Sequence, residues 1–233
     1  MYSAIHPVVG HQAFNEVMTP DTTQRFGAGM VLDAMDPYFG AAKFVYLQSG
    51  AAENPGQLDV VQDETFVTLA LPSTANQGFP FVVARQVMGA ANNWGWYQFE
   101  GVCPLQVSAS VAQGTAIGIG TSAGKAGTNT AGKQLLGVRV LEASTFAITK
   151  LGITTNGDKR LFLTNVDGLF VGLAVSGTGV AASSTIAGID PSRRFITLNN
   201  ALTASGGGVT ITFTYTGFVL AHLVAPFAQG AIT

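Results

Sequence analysis

Val209-Thr210-Ile211-Thr212-Phe213-Thr214-Tyr215-Thr216 alternates without a break: Val209, Ile211, Phe213 and Tyr215 fall on one face and four threonines on the other. Successive side chains of a strand point to opposite faces, so this period of two predicts a strand with one buried face. Leu105, Val107, Ala109 and Val111 alternate with Gln106, Ser108 and Ser110 in the same way. Phe66–Leu71, Phe79–Val87, Arg160–Val166, Phe195–Leu198 and Phe218–Val224 read as further extended segments. With 29 glycines and abundant Thr, Ser, Val and Ala between them, the spacing suits about a dozen strands. No window longer than two turns carries apolar residues at helical spacing without a glycine, which leaves Pro20–Phe26 and Ala131–Gly137 as single-turn candidates only.

The fold class expected from these patterns is all-β: a β-barrel or jelly-roll-like main domain, an inserted small β module and an extended N-terminal arm. Residues 1–40 read as the arm, because His6-Pro7, Thr19-Pro20 and Asp36-Pro37 punctuate a stretch with few alternating runs. Its Phe14, Val17, Met18, Phe26, Tyr38 and Phe39 make it more apolar than a disordered tail, and suit it to lie along a partner. Residues 151–216 read as the module, ending in a Gly206-Gly207-Gly208 turn and the strand quoted above. The strand from Phe218 resembles those of the first part, so residues 41–150 plus 217–233 are expected to form the main barrel.

Charge narrows the function. Only 10% of the 233 residues are charged, with formal net −2, where a typical soluble domain has about 25% charged residues. No basic run exceeds the pairs Lys159-Arg160 and Arg193-Arg194, so a phosphate-binding groove for nucleic acid is not expected. Apolar residues make up 47% but are scattered, and the uncharged stretches are broken by glycine well short of the ~20 apolar residues a membrane helix needs. The first basic residue is Arg25, so no positive region precedes a secretory segment and synthesis in a cytoplasm is the default expectation. One cysteine, Cys103, cannot form an internal disulfide. Neutral surface on so large a scale favours permanent association.

No motif for catalysis, metal or cofactor binding emerges. In Gly118-Ile-Gly120-Thr-Ser-Ala-Gly124-Lys125, three residues separate Gly120 from Gly124 and Ala126 follows the lysine, so a P-loop is not formed and a hairpin loop is expected. The dinucleotide fingerprint fails at Ala123. His6 and His11 lie on the arm and His222 within a strand, which does not gather zinc ligands. Cys103, before Pro104 in an apolar strand, reads as a buried small hydrophobe. Asp33/Asp36 and Asp59/Asp63/Glu64 read as solvated carboxylates. The run Trp94-Gly95-Trp96-Tyr97-Gln98-Phe99 has two readings: core and subunit-interface packing, or a stacking platform for a sugar.

Arg25-Phe26-Gly27, Asp36-Pro37-Tyr38-Phe39-Gly40, Lys43–Leu47, Gly95–Val102, Gln106–Gly114 and Leu136-Gly137-Val138, in that order, resemble the tailed-bacteriophage capsid decoration, or head-stabilising cement, proteins. Val175–Asp190 followed by Phe195–Gly206 is similar to small β modules of virion structural proteins. Together the resemblance covers about residues 25–225. It implies a non-enzymatic protein on the outer surface of the bacteriophage head. Its partners would be the major capsid protein and itself, as a homotrimer, with no cofactor, nucleic acid or membrane. Phe14, Val17, Phe26, Tyr38, Phe39, Trp94, Trp96 and Tyr97 are then the candidate interface residues. The alternative is a host-recognition, glycan-binding module of a phage tail or fibre, with Trp94, Trp96 and Tyr97 as its platform.

Overall fold

The computed structural model describes residues 3–4, 20–36, 38–190 and 194–230. It is nearly all β. The strands are β1 (Ser3–Ala4), β2 (Val31–Asp36), β3 (Gly40–Ser49), β4 (Leu58–Gln62), β5 (Val67–Ala70), β6 (Phe81–Ala84), β7 (Trp94–Gln106), β8 (Ile117–Ile119), β9 (Ala126–Thr128), β10 (Leu135–Glu142), β11 (Ala147–Thr154), β12 (Arg160–Leu163), β13 (Ala174–Gly177), β14 (Ser184–Ile189), β15 (Phe195–Leu198), β16 (Gly206–Thr214) and β17 (Phe218–Ala228). The chain divides into two compact units, Met1–Ser144 with Gly217–Thr233, and Thr145–Thr216.

The second unit is a closed barrel in the order β11-β12-β15-β14-β13-β16. It begins at Thr145 and not at the expected residue 151, because β11 starts at Ala147 and pairs with β16 from Ala147↔Thr214 to Thr154↔Gly206. Ile211 and Phe213 point inward and are fully buried, together with Leu161, Val175, Ile186, Ile196 and Leu198, while the threonines of β16 face out. Closure leaves no sheet edge to protect. The triple glycine is part of β16 and not a turn: Gly207 pairs with Ile153 and Val209 with Gly152, and Gly208 between them takes φ +65° as the bulge residue. Tyr215, one residue past the strand, is buried and its hydroxyl donates to the Gly168 carbonyl at 2.7 Å.

In the first unit the sheet order is β1-β2-β3-β5-β4-β6-β7-β17-β10, with β3 also paired to β7. Pairing therefore runs in a ring from β3 through β5, β4 and β6 to β7 and back to β3, all antiparallel except β3–β5. Strand β3 is buried on both faces: Phe44 and Tyr46 join one apolar cluster with Leu32, Ala34 and Trp96, and Leu47 joins another with Val82, Met88 and Tyr97. A third and larger cluster gathers Leu58, Leu71, Phe81, Val83, Cys103, Leu105, Val140, Val219 and Leu223.

Several expectations are corrected here. Residues 20–40 are not a free arm: Asp21 bridges to Trp94, and β2 pairs with β3 from Val31↔Val45 to Asp36↔Gly40. The alternation Val31-Leu-Asp-Ala-Met-Asp36 was short enough to be masked by the flanking turn residues. The strand expected over Leu105–Val111 ends at Gln106 and extends upstream to Trp94, thirteen residues in all. Neither single helical turn forms, since Leu135 opens β10 and Asp21 lies in an extended bridge. The glycine-rich run is the loop of the β8–β9 hairpin.

Gly101 lets β7 serve two sets of neighbours. It has φ +94°, and a Cβ there would strike the Ala41 carbonyl oxygen and crowd Ala42. Gly101→Ala combines backbone strain with that clash and should cost on the order of 3 kcal/mol, lowering the first unit's melting temperature by roughly 6–12 °C. The isolated fragment 145–216, closed on its own core, should show a cooperative thermal transition by circular dichroism; a non-cooperative melt would contradict its independence.

Candidate functional site

The aromatic run on β7 was the strongest sequence feature, and the structure divides it. Trp94 stacks on Tyr46 at 5.6 Å between ring centroids, and Phe26 meets Tyr46 edge-on at 5.2 Å and Trp96 at 5.4 Å. The Tyr46 hydroxyl donates to Asp21 Oδ2 at 2.8 Å and accepts from the Arg25 amide at 3.2 Å, which fastens the 21–26 segment over the rings. Trp96 is consequently buried, Tyr97 is buried on the opposite face of β7 among Leu47, Val82, Ala84 and Met88, and both leave the set of interface candidates. The three-ring sugar platform of Trp94, Trp96 and Tyr97 is likewise not exposed: only Trp94 is partly accessible. Phe26 is half-buried. Tyr38 is exposed and Phe39 half-buried in the β2–β3 turn, edge to face at 5.0 Å. Their amides donate to Asp36 Oδ1 at 2.7 and 3.0 Å. Phe14 and Val17, with His6 and His11, lie outside the described residues.

A buried polar cluster escaped sequence reading. Tyr97 and Thr68 hydroxyls each donate to the Glu53 carboxylate at 2.5 Å, and Gln57 Nε2 donates to Asp59 Oδ1 at 2.7 Å. Asp59 is fully buried on β4 and its Oδ2 has no partner, which corrects its reading as a solvated carboxylate. Asp36 is also buried, as the cap of its turn. Burial pushes the Glu53 carboxyl up despite the two hydroxyl donors. Burial, and then the charge of Glu53, holds Asp59 well above the usual carboxylate range. These groups can store a proton, but the side chains of Glu53, Asp59, Thr68 and Tyr97 are sealed from any substrate.

Cys103 is buried and its thiol is pushed up to about 12, chiefly by burial and against the influence of Arg85, so its thiolate is scarce near neutrality. His222 is half-buried on β17, opposite Arg139 and Val102. Among the described residues no group of three or more His, Cys, Asp or Glu could hold a metal ion, and no helix is long and apolar enough to cross a membrane.

Among the described residues the first unit has an apolar groove of about 430 Å³ lined by Val31, Val45, Pro80, Phe99, Pro226 and Phe227, among others. Val31, Phe79, Leu136, Val224 and Phe227 around it are exposed. Its wall is shaped by a double irregularity: Ala225 takes φ +45° on β17, and Gly137 takes φ +68° on β10, where a Cβ would strike the Val224 carbonyl oxygen. The left-handed backbone costs nothing at Gly137 but on the order of 1–3 kcal/mol at Ala225, where it persists because the surroundings over-determine it. The groove residues come from strands distant in sequence and each reads as ordinary core, which is why the sequence did not show it.

Comparison of the chain with protein-family models, with curated proteins and with solved structures finds no match in any of the three.

The buried acids make stability depend on pH. Folding raises both carboxyl pKa values, so the folded chain keeps protons that the unfolded chain releases near pH ~4. Their contribution is fully present below that range and is lost as pH rises through it towards the raised values. Asp59→Asn keeps an acceptor for Gln57 and removes the ionisation. It should raise the melting temperature at about pH 8 and flatten the decline of stability with pH by up to about 1.4 kcal/mol per pH unit. Parallel melting curves against pH for variant and wild type would contradict this.

Proposed function

We propose that this chain is a structural protein of a tailed-bacteriophage virion, seated on the outer surface of the head, where it binds the major capsid protein, associates with itself as a homotrimer and stabilises the shell. The observation that carries the reading is the apolar groove with its exposed rim of Val31, Phe79, Leu136, Val224 and Phe227, on a chain of which only 10% is charged. A surface of that kind suits contacts that are made once and kept. The reading is non-enzymatic and needs no cofactor; the burial of Glu53, Asp59 and Cys103 supports it, since each is out of a substrate's reach. The order of motifs from Arg25 to Val138 supports the choice of a decoration protein among structural roles. In this role the protein is made in the host cytoplasm and added to heads.

The energetics follow from repetition. Each copy removes apolar area from water at about 25 cal/mol per Å². Many identical weak contacts around a shell then add through multivalency, so modest individual affinities resist expansion of the shell by packaged DNA.

Sedimentation of the purified protein with heads lacking it should show saturable binding; a protein left in the supernatant would contradict the reading. The segment Met1–Thr19, which carries Phe14 and Val17, is assigned to these contacts. Its deletion should lower head occupancy at least tenfold at subsaturating protein while lowering the melting temperature only by what the short β1–β2 pairing of Ser3 with Met35 and Ala4 with Ala34 contributes, with the cooperative transition kept. The deletion stops at Thr19 because Asp21 and Phe26 are packed against Trp94 and Tyr46. Unchanged occupancy would remove the segment from the interface.

A further inference from the structure

We infer that the open sheet face of the first unit pairs with the same face of a second copy of this chain, about a two-fold axis that runs between Lys43 and Glu100. The inference deepens the structural reading above and rests on it only for the setting in which the contact is used.

The face is fixed by register. Asp33 on β2 lies opposite Lys43 on β3, Lys43 opposite Glu100 on β7, and Glu100 opposite Val224 on β17. Opposed residues project to the same side of a sheet, so Asp33, Lys43, Glu100 and Val224 form one row across four strands. Lys43 Nζ and Glu100 Oε2 are 2.9 Å apart, and both side chains are about two-fifths exposed. Two residues along β2 and β3, Val31 and Val45 face each other on the same side and line the groove with Phe99 and Phe227. Leu136 on β10 extends the margin opposite Phe227. Val31 and Val224 are each 55% exposed and Leu136 is 51% exposed.

Charge complementarity selects the occupant. The row presents one cation between two carboxylates, followed by an apolar position, and Arg139 on β10, opposite His222, adds a cation at the margin of the same face. A strongly basic partner would be opposed by Lys43, and a strongly acidic one by Asp33 and Glu100. A second copy turned about an in-plane two-fold axis reverses the row. Lys43 then lies over Glu100 of the second copy and Glu100 over its Lys43, which closes a square of alternating charge. The same rotation sets Val224 against Asp33 of the second copy and brings the apolar rims together. An isologous contact of this type needs a self-complementary patch, which Lys43 and Glu100 supply at the centre of the row, while Asp33 opposite Val224 leaves a carboxylate that a cation at 224 would pair. Five strands spaced about 4.8 Å apart over roughly 20 Å of length give a plane of about 500 Å² before corrugation. The groove and the marginal Phe79 and Leu136 bring it towards the ~800 Å² per partner of a standard interface. Two-fold pairing is a contact additional to the one that builds a trimer, so it doubles whatever particle the rest of the surface makes.

Light scattering of the full-length protein at tens of micromolar, with circular dichroism to verify folding, provides the test. Val224→Glu sets a carboxylate against Asp33 of the second copy and should halve the particle mass. Val224→Lys sets an ammonium there and should preserve it, a difference that mere loss of an apolar side chain would not produce. Lys43→Glu should weaken pairing at least tenfold, and Lys43→Glu combined with Glu100→Lys should restore it. Equal masses for wild type and Val224→Glu would overturn the inference, as would equal loss in both Val224 variants. A fall to one third would place the face in a three-fold contact and overturn it too. A monomeric wild type whose Val224→Glu variant fails to sediment with heads would assign the face to the capsid protein, overturning the pairing while leaving the proposed function intact.

Discussion

The first unit depends on one long strand that takes strand neighbours on both sides through its middle. β7 is hydrogen-bonded to β3 along Trp94–Gly101, and on its other side to β6 at Tyr97 and Gln98 and then to β17 from Glu100 to Gln106. A backbone group buried without a partner costs as much as a lost hydrogen bond, so a long central strand is tolerable only if neighbours are supplied throughout. Gly101, in the left-handed region where β7 passes from one set of neighbours to the next, makes that supply geometrically feasible. Both faces of β7 are then covered, with Trp96 in one apolar cluster and Tyr97 in another.

Covering β7 carries polar groups inside, and the chain satisfies several of them locally. Gln98 Oε1 accepts from Arg85 Nη1 at 2.6 Å, and Gln98 Nε2 donates to the Glu100 and Val102 carbonyls at 3.0 and 3.1 Å. Arg85 in turn lies 4.0 Å from the Asp36 carboxylate and over the Phe39 ring, which ties the β2–β3 turn to the strand beneath it. Glu53 is held by Thr68 and Tyr97. Polar networks of this kind specify one packing when satisfied, and buried atoms without a partner, among them Asp59 Oδ2, Gln86 Oε1 and Trp96 Nε1, mark where that satisfaction stops. Asp36, Glu53, Asp59 and Arg85 are spent on the interior, and the open face carries the apolar groove beside the row of Asp33, Lys43 and Glu100, with Arg139 at its margin.

Local pattern made the second unit legible. Phe195–Leu198 is a strand with the bounds its alternation implies, and the face predicted from Ile211 and Phe213 is the buried one. What period two could not convey was pairing: the triple glycine reads as a turn by composition, yet β11 extends far enough to pair with it, and Gly208 bulges out instead. In the first unit the failures share a cause. Asp59 is flanked by turn residues and acids that look solvated, and only its pairing with Ala70 and Val82 buries it. Trp96 and Tyr97 alternate as any half-exposed strand does, and it is the 21–26 segment and β6, distant in sequence, that cover the two faces. The groove assembles from Val31, Val45, Pro80, Phe99 and Phe227, whose proximity follows from strand order alone.

In the proposed role this face of the first unit is a permanent contact surface of the assembled particle. Hydroxyl-radical footprinting of side chains, on heads carrying the protein and on the free Val224→Glu variant, tests it most directly. Val31, Leu136 and Phe227 should be labelled in the free variant and protected on the particle. Equal labelling of these three residues in both samples would contradict it.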